Sequence, residues 1–352
     1  MKKLLPTLMF LLILFNDTKA CVTFVLRNDN SLVFGWNYEF DAGSGFIIVN
    51  KTGLLKTSFL LQEKDPIKWI SKYGSITFNQ WGKEFPSGGM NEKGLIVVQT
   101  MFIKTKYPDP DIRPAISELQ WIQYQLDNFS TIEEVIENEK MLRITNNSIP
   151  LHYMICDKTG NVAVIEFIDG KMICHKGNGL LIPVLANDSY EDSFMELKKY
   201  KGFGGGIEIP TKSTGPKSGN FIIASDFVKK YIKTENILDY SFKTLSFSTE
   251  PKRTQWSVVF DIKNMEIHFR SLNNNKIKRI VFNNFDYACN SSVKMLDIST
   301  DNTDRFVVYN TSIDADYINK AYNNPAIPWI KEVVPETANN DKIRYIKTIK
   351  CK

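Results

Sequence analysis

A cysteine, Cys21, directly follows a segment that has the features of a secretory leader. This position predicts that the folded chain begins at Cys21. The segment MKKLLPTLMFLLILFNDTKA opens on a lysine pair, continues in an apolar run from Leu4 to Phe15 and ends in small residues. This order is typical of a leader that is removed, and the apolar run is too short to span a bilayer as a stable helix. We therefore expect a leader over residues 1–20. Residues 21–352 should form a single domain without an integral membrane segment, in a secreted or periplasmic protein.

Removal of the leader would give the thiol of Cys21 a base in its own backbone. A free α-amine has a pKa of about 7.7 to 8.0 and a thiol one of about 8.5, so the neutral amine can accept the thiol proton near pH 7. Two other interpretations are open. In a lipoprotein the third residue before the cysteine is usually leucine, and here it is Thr18, followed by Lys19. Cys21 could also be a buried structural cysteine near the cut. We favour the free N-terminal cysteine.

Composition and motifs argue against nucleic acids, metals and cofactors. The net charge is +5, and the lysines of the leader leave the mature chain at about +3. Such a weak charge predicts no strong binding to a polyanion. The sequence has no CxxC or HExxH spacing, no P-loop and no dinucleotide fingerprint. We expect no metal, no cofactor and no nucleic-acid partner, and the glycines of GFGGG at 202–206 are predicted to form a loop.

The histidines and the remaining cysteines carry no motif. His152 and His268 lie in alternating apolar runs, where half-buried strand positions are expected, and the third histidine is His175. Besides Cys21, the chain has an even set of cysteines that could pair in an oxidising compartment, although four unpaired thiols are equally plausible. This set consists of Cys156, Cys174, Cys289 and Cys351.

Alternating apolar residues predict strands, and three stretches predict helices. CVTFVLR and SLVFGWNYEF read as an antiparallel hairpin that begins at Cys21, and further strands are expected at GFIIVN, 75–78, 94–100, LHYMICD, NVAVIEFI, KMICHK, QWSVVFDI and MEIHFRS. Residues 116–129 have helical spacing, Ser130 or Thr131 can cap the next helix, and SDFVKKYIK is also helical. Strands and helices in separate blocks predict an α+β layered fold with two antiparallel sheets.

Several segments resemble the choloylglycine hydrolase family of linear amide carbon-nitrogen hydrolases, which includes penicillin V acylase-like proteins. They are CVTFVL, FGWNYEF, GGMNEKGLIV, LHYMICDKTGNVAVIEF and VLAND, in this order. The resemblance implies the four-layer αββα sandwich of N-terminal nucleophile hydrolases, with the nucleophile at the end of a central strand. It also implies a homo-oligomer that cleaves small N-acyl amides such as conjugated bile salts or penicillin V.

Carried over position by position, the resemblance assigns Cys21 as the nucleophile, which forms a thioester with the acyl group. Asn187 of VLAND would stabilise the oxyanion, although Asn187 can also be read as a simple turn residue. Met101 falls where the second oxyanion donor is expected, and its backbone N–H suffices. Glu39 stands in place of an aspartate that holds the α-amine.

Other positions depart from the implied pattern. Trp36 stands where a basic residue is expected near the thiol, and Asn220 where an arginine is expected. Arg253 resembles a family position, for which we favour a role in bracing a strand. Trp36, Phe102, Trp81 and Phe85 are aromatic candidates for the acyl pocket, with core packing as the competing explanation.

Two functions follow from these assignments. The favoured one is an active amidase that uses Cys21, and the alternative is a catalytically impaired family member that acts as a secreted binding protein. A lipid-anchored surface protein is a third interpretation, and it is incompatible with catalysis by a free amine.

Overall fold

The protein is described by a computed structural model that covers residues 21–352 except 62–64, 147, 213–218 and 250–251. The proposed leader lies outside the described residues. The strands, numbered in chain order, are β1 Val22–Arg27, β2 Leu32–Glu39, β3 Phe46–Asn50, β4 Leu54–Thr57, β5 Lys68–Ile70, β6 Ser75–Asn79, β7 Gly88–Asn91, β8 Ile96–Met101, β9 Ala115–Ile116, β10 Arg143–Ile144, β11 Leu151–Cys156, β12 Val162–Ile168, β13 Lys171–Lys176, β14 Val184–Leu185, β15 Thr254–Asp261, β16 Glu266–Ser271, β17 Asn274–Val281, β18 Lys294–Asp297, β19 Val307–Val308 and β20 Lys350–Cys351.

The α-helices are α1 Glu118–Asn128, α2 Ile132–Glu137, α3 Tyr190–Leu197, α4 Gly219–Lys230, α5 Ile237–Phe247, α6 Thr311–Tyr322, α7 Ile330–Val333 and α8 Glu336–Ile346. Thr131 caps α2 in a capping box with Glu134, as the sequence predicted. Helix α4 begins six residues before the predicted stretch because its apolar first turns, from Phe221 to Ala224, are buried in the core.

Sheet A places Cys21 at the end of an interior strand. Its strand order is β14-β1-β2-β15-β16-β17, and the neighbours are antiparallel. The predicted first hairpin is confirmed, with Thr23 opposite Trp36. Its turn is closed by Asn28, whose Oδ1 accepts the N–H of Ser31 at 2.7 Å. One continuous ladder therefore fixes the register of the residues that surround Cys21.

Sheet B stacks on sheet A and completes the layers. Its order is β13-β12-β11-β8-β7-β6-β3-β18-β19, also antiparallel. Phe78 of sheet B meets Trp256 and Phe260 of sheet A at ring-centroid distances of 6.4 and 6.2 Å. Helices α4 and α5 pack against β1 and β2, and α1 packs against β7 and β8. The expected α+β sandwich with two antiparallel sheets between helices is thus confirmed.

A disulfide joins the C-terminal end of the chain to the body. Cys289 and Cys351 are bonded, which brings β20 beside β4, whereas Cys156 and Cys174 are free thiols. Of the two alternatives left open by the sequence, pairing is therefore found for Cys289 and Cys351, and free thiols for Cys156 and Cys174. In the described part of the chain, no helix has the length and apolar character needed to cross a membrane.

The GFGGG stretch is a turn after α3, as predicted for a loop. Gly202 and Gly204 have φ angles of +85° and +114°, which side chains with a Cβ rarely adopt. The chain closes on itself through the N–H of Lys201, which donates to the carbonyl of Ile207 at 2.7 Å.

Candidate active site

The sulfur of Cys21 borders a cavity of about 390 Å³ that opens between the two sheets and the C-terminal helices. The backbone N–H of Glu39 donates to this sulfur at 3.4 Å, and the thiol lies 3.6 Å from the carbonyl oxygen of the same residue. The cavity is lined by Cys21, Tyr38, Glu39, Phe40, Asp41, Trp81, Gln99, Met101, Glu118, Leu119, Ile149, Leu151, Asn187, Arg253, Ala326, Pro328, Trp329 and Glu332. A single cavity therefore joins the reactive thiol to polar groups on one side and to a largely apolar wall on the other.

The thiol of Cys21 is protonated at neutral pH in the uncleaved chain. Its side chain is buried, and burial raises the pKa of the thiol to about 12, while Arg253 and the backbone of Glu39 act in the opposite direction. The nitrogen of Cys21 is an amide while Ala20 is attached. In this form the thiol has no α-amine beside it that could act as a base.

Asn187 follows strand β14, which is the neighbour of β1 in sheet A. Leu185 of β14 faces Thr23 of β1, so the chain that leaves β14 runs towards the start of β1, where Cys21 lies. Both side chains line the cavity, and Oδ1 of Asn187 has no hydrogen-bond partner among the described residues. An amide in this position can donate to a group bound next to the sulfur.

Met101 ends strand β8 on the opposite wall of the cavity. It pairs with Leu151 of β11, and both residues line the cavity. The N–H of Gln99 donates to Ser87 at 3.1 Å. In an extended strand, backbone N–H groups two residues apart point to the same side. The N–H of Met101 therefore points to the β7 side, as that of Gln99 does, but at a position past the end of β7 at Gly88.

The carboxylate of Glu39 accepts hydrogen bonds from Thr254 and Asn220. Oε1 accepts the hydroxyl of Thr254 at 2.9 Å, and Oε2 accepts the amide of Asn220 at 3.3 Å. The side chain is buried and reaches the cavity. The two positions that depart from the implied pattern, Glu39 and Asn220, are therefore in direct contact.

Arg253 lines the cavity and also contacts the chain next to β2, in keeping with the predicted role in bracing a strand. It precedes β15, where its carbonyl accepts the N–H of Phe40 at 2.9 Å. Its guanidinium binds both carboxylate oxygens of Asp41, at 2.8 and 3.2 Å. The sequence could not reveal this contact because it depends on how β15 aligns with β2.

Trp36 and Phe102 do not line the cavity, so their assignment to the acyl pocket is wrong. Trp36 is fully buried between the sheets, edge-on to Phe78 and Trp256 at 6.0 and 6.2 Å. Phe102 is 3% exposed and stacks on the ring of His152 at 4.9 Å. On the same face of β2 it is Tyr38, two residues further along the strand than Trp36, that reaches the cavity.

Of the other aromatic candidates, Trp81 borders the cavity and Phe85 borders a smaller chamber beside it. This second chamber, of about 90 Å³, shares Trp81, Glu118, Leu119 and Ile149 with the first. Glu118, at the start of α1, was not identified from the sequence as a site residue. It lines both chambers, and burial raises the pKa of its carboxyl group.

The C-terminal helices form one wall of the cavity, which no sequence motif predicted. Pro328, Trp329 and Glu332 lie between α6 and the end of α7, far along the chain from Cys21. The rings of Trp81 and Trp329 each pack edge-on against Phe40 at 6.2 Å. The sequence analysis predicted no element in this region.

The histidines lie outside the cavity lining. His152 is fully buried rather than half-buried as expected, and it contacts Glu166 and Ala186. His268 is half-buried on β16 beside Glu266, as predicted. Among the described residues, no cluster of His, Cys, Asp and Glu could hold a metal ion.

Two stacked antiparallel sheets between helices, with a cysteine at the start of an interior strand, define the architecture of N-terminal nucleophile hydrolases. Residues 21–214 match the family described as linear amide C-N hydrolases, choloylglycine hydrolase family. Because this match covers more than half of the chain, the chain belongs to that family.

Characterised relatives agree with this assignment. A penicillin V acylase of Pectobacterium atrosepticum is 27% identical over 248 residues, which are 58% of this chain and 65% of the relative. The alignment thus spans slightly less than two thirds of that protein.

Solved structures show the same fold. Penicillin V acylase from Agrobacterium tumefaciens superposes with a TM-score of 0.71 at 24% identity, over 82% of this chain and 98% of that one. A mutant of conjugated bile acid hydrolase from Clostridium perfringens gives 0.64 at 20% identity, over 78% and 96%.

Proposed function

We propose that the chain, once cut before Cys21, hydrolyses linear amide carbon-nitrogen bonds of N-acyl amines through a thioester on Cys21. The observation that carries this proposal is the meeting of Cys21, Glu39, Met101 and Asn187 on one cavity in a member of this family. These residues come from separate strands and a loop, and each matches a chemical role that amide cleavage requires.

The first half of the reaction transfers the acyl group to sulfur. The free amine of Cys21 accepts the thiol proton, and the sulfur attacks the amide carbonyl carbon. The negative charge that develops on the carbonyl oxygen is stabilised by the side-chain N–H of Asn187 and the backbone N–H of Met101. The amine of Cys21 then returns its proton to the leaving nitrogen, the carbon-nitrogen bond breaks, and an acyl thioester remains.

The second half uses water. The amine of Cys21 accepts a proton from water, hydroxide adds to the thioester carbonyl, and the carbon-sulfur bond breaks to release a carboxylic acid. Glu39 supports both halves, because its carboxylate lines the cavity beside Cys21 and can orient the ammonium form of the α-amine. Arg253 supplies the positive charge near the sulfur that Trp36 cannot supply.

The cavity favours a hydrophobic acyl group. Its wall contains Leu119, Ile149, Leu151, Pro328 and Trp329. Apolar groups gain roughly 25 cal/mol for each Å² removed from water, so an apolar acyl chain is bound better here than a charged one. A small-molecule N-acyl amide is therefore the proposed partner.

The disulfide supports export of the mature protein. Cys289 and Cys351 are bonded, and disulfides persist in secreted and periplasmic proteins. We include removal of residues 1–20 and a secreted or periplasmic location in the proposal.

A panel of N-acyl amides tests the function. Mature protein whose N-terminus is confirmed by mass is incubated with conjugated bile salts, penicillin V and fatty acyl amides, and amine release is measured. Release that the Cys21→Ala protein lacks supports the amidase and identifies the acyl class. Binding without release by correctly processed protein would favour the alternative, an impaired family member that acts as a binding protein. The observation that favours this alternative is the burial of the Cys21 side chain.

A further inference from the structure

A buried histidine and a buried glutamate hold the chain on both sides of Asn187. Nε2 of His152 lies 2.7 Å from the carbonyl oxygen of Ala186, the residue before Asn187. Oε1 of Glu166 accepts the backbone N–H of Tyr190, shortly after Asn187, at 3.0 Å. Nδ1 of His152 lies 3.1 Å from the same Oε1. His152 and Glu166 thus connect two points of the backbone, and Asn187 lies between them.

The groups that make these contacts stand on rigid elements. His152 lies on β11 and Glu166 on the neighbouring β12, and neither side chain is exposed. Thr100 of β8 adds a second donor, since its hydroxyl binds the carbonyl of Ala186 at 3.0 Å. Three adjacent strands of sheet B therefore fix a loop that follows β14 of sheet A.

Hydrogen-bond chemistry makes the connection between His152 and Glu166 strong. Both ring nitrogens of His152 face oxygen atoms, one on Glu166 and one on Ala186, and a hydrogen bond to a carboxylate is stronger than one between neutral groups. Burial would raise the pKa of Glu166, but the hydrogen bonds from His152 and His175 lower it to about 2. His175 occupies the other oxygen, Oε2, at 3.0 Å. Phe102 covers the ring of His152.

We propose that His152 and Glu166 are positioning residues that hold Asn187 in the wall of the cavity that Cys21 also lines. The inference rests on the proposed function, in which Asn187 donates to the oxyanion. Asn187 belongs to an irregular, half-buried stretch, so its own backbone does little to fix its amide. A displacement of about 1 Å at such a group can cost about a hundredfold in rate.

Two substitutions of His152 separate positioning from packing, because each keeps one contact. The amide of His152→Asn can reach the place of Nδ1 and bind Glu166, but it leaves the carbonyl of Ala186 without this donor. The amide of His152→Gln can reach the place of Nε2 and bind Ala186. We expect His152→Asn to lower kcat for amide hydrolysis about thirtyfold with KM within about threefold, by the positioning argument, and His152→Gln to keep most of the parent kcat.

Alkylation of Cys21 by iodoacetamide is the control readout, since this reaction develops no oxyanion. We expect both variants to be alkylated at the parent rate. Equal losses of kcat in the two variants, or a parallel loss of alkylation, would indicate a general packing defect and overturn the proposal. Should His152→Asn fail to fold, Thr100→Val carries the test: it removes the other donor to Ala186 and is expected to lower kcat several-fold, and an unchanged kcat would overturn the proposal.

The Asn187→Ala background distinguishes this proposal from the proposed function. If Asn187→Ala keeps the parent kcat, the oxyanion role fails, and the proposed mechanism fails with it. If Asn187→Ala lowers kcat, and His152→Asn lowers kcat in that background by the same factor as in the parent protein, only the positioning proposal is overturned. We expect no further loss from His152→Asn in that background.

Discussion

The side-chain amide of Asn220 donates to Oε2 of Glu39 at 3.3 Å in a buried contact. The resemblance implies an arginine at the first position and an aspartate at the second. An arginine here would bring a positive charge to the carboxylate, whereas the amide of Asn220 binds it without adding charge. The longer Glu39 and the neutral Asn220 therefore form a matched pair in this chain.

Loss of the charge on Glu39 should slow catalysis more than loss of its amide partner. We expect Glu39→Gln to lower kcat of the mature protein by about ten- to a hundredfold, because an amide cannot hold an ammonium group as a carboxylate does. Asn220→Ala removes only one contact and should cost less than about tenfold. Steady-state kinetics check both values, and a Glu39→Gln protein with the parent kcat would remove Glu39 from the mechanism.

Introducing a basic residue at Trp36 should destabilise the protein rather than activate it. Trp36 is fully buried between the sheets, so Trp36→Arg places a charge in an apolar core and should cost about 4 kcal/mol or more. Trp36→Phe keeps an aromatic ring and serves as the control, with a smaller loss. Urea denaturation measures both, and a Trp36→Arg protein of parent stability with higher turnover would show that the side chain does reach the thiol.

Cleavage before Cys21 should switch on the reactivity of its thiol. In the uncleaved chain burial raises the pKa of the thiol to about 12, so thiolate is scarce at pH 8. The mature protein has the amine as a base, and we expect iodoacetamide to modify it at least about tenfold faster than a precursor made uncleavable. Equal rates, read by mass spectrometry of the Cys21 peptide, would argue against activation by the amine.

The disulfide should stabilise the C-terminal wall of the cavity. Cys289 and Cys351 are separated by 62 residues, and a bond that closes a loop of this size typically contributes about 2 to 4 kcal/mol. Cys351→Ser should therefore lower the unfolding free energy by about that amount. Cys174→Ser is the control at a free cysteine, and a similar effect of both substitutions would contradict the structural role of the bond.

Acid should weaken the fold through Glu166. Its folded pKa is lowered from 4.5 to about 2, so its contribution is fully present above about pH 5 and is lost as the pH falls towards 2. Glu166→Gln should remove part of this pH dependence in denaturant unfolding between pH 5 and pH 2. A variant whose stability falls with acid as steeply as that of the parent would contradict the account.

The sequence predicted the fold well because its signals are local. Alternating apolar residues gave the hairpin that begins at Cys21, and spacing gave α1. The placement of Arg253 and Trp329 on the cavity could not be predicted, since both depend on how distant elements meet. Trp36 was misassigned because alternation on β2 gives the face of the sheet but not the depth within the sandwich.

The site was predicted in part. Cys21 followed from the chemistry of an N-terminal cysteine, and Asn187, Met101 and Glu39 came from the resemblance; all four line one cavity. The connection between His152 and Glu166 was hidden, because the pattern around each residue is that of an ordinary buried strand.

Amine release by mature protein and by its Cys21→Ala variant tests the central claim most directly. Both proteins are confirmed by mass to begin at residue 21, and both are supplied with the best amide of the panel. The account predicts release by the parent and a loss of at least about a thousandfold in the variant, because the nucleophile is absent. Hydrolysis by Cys21→Ala at the parent rate would contradict it.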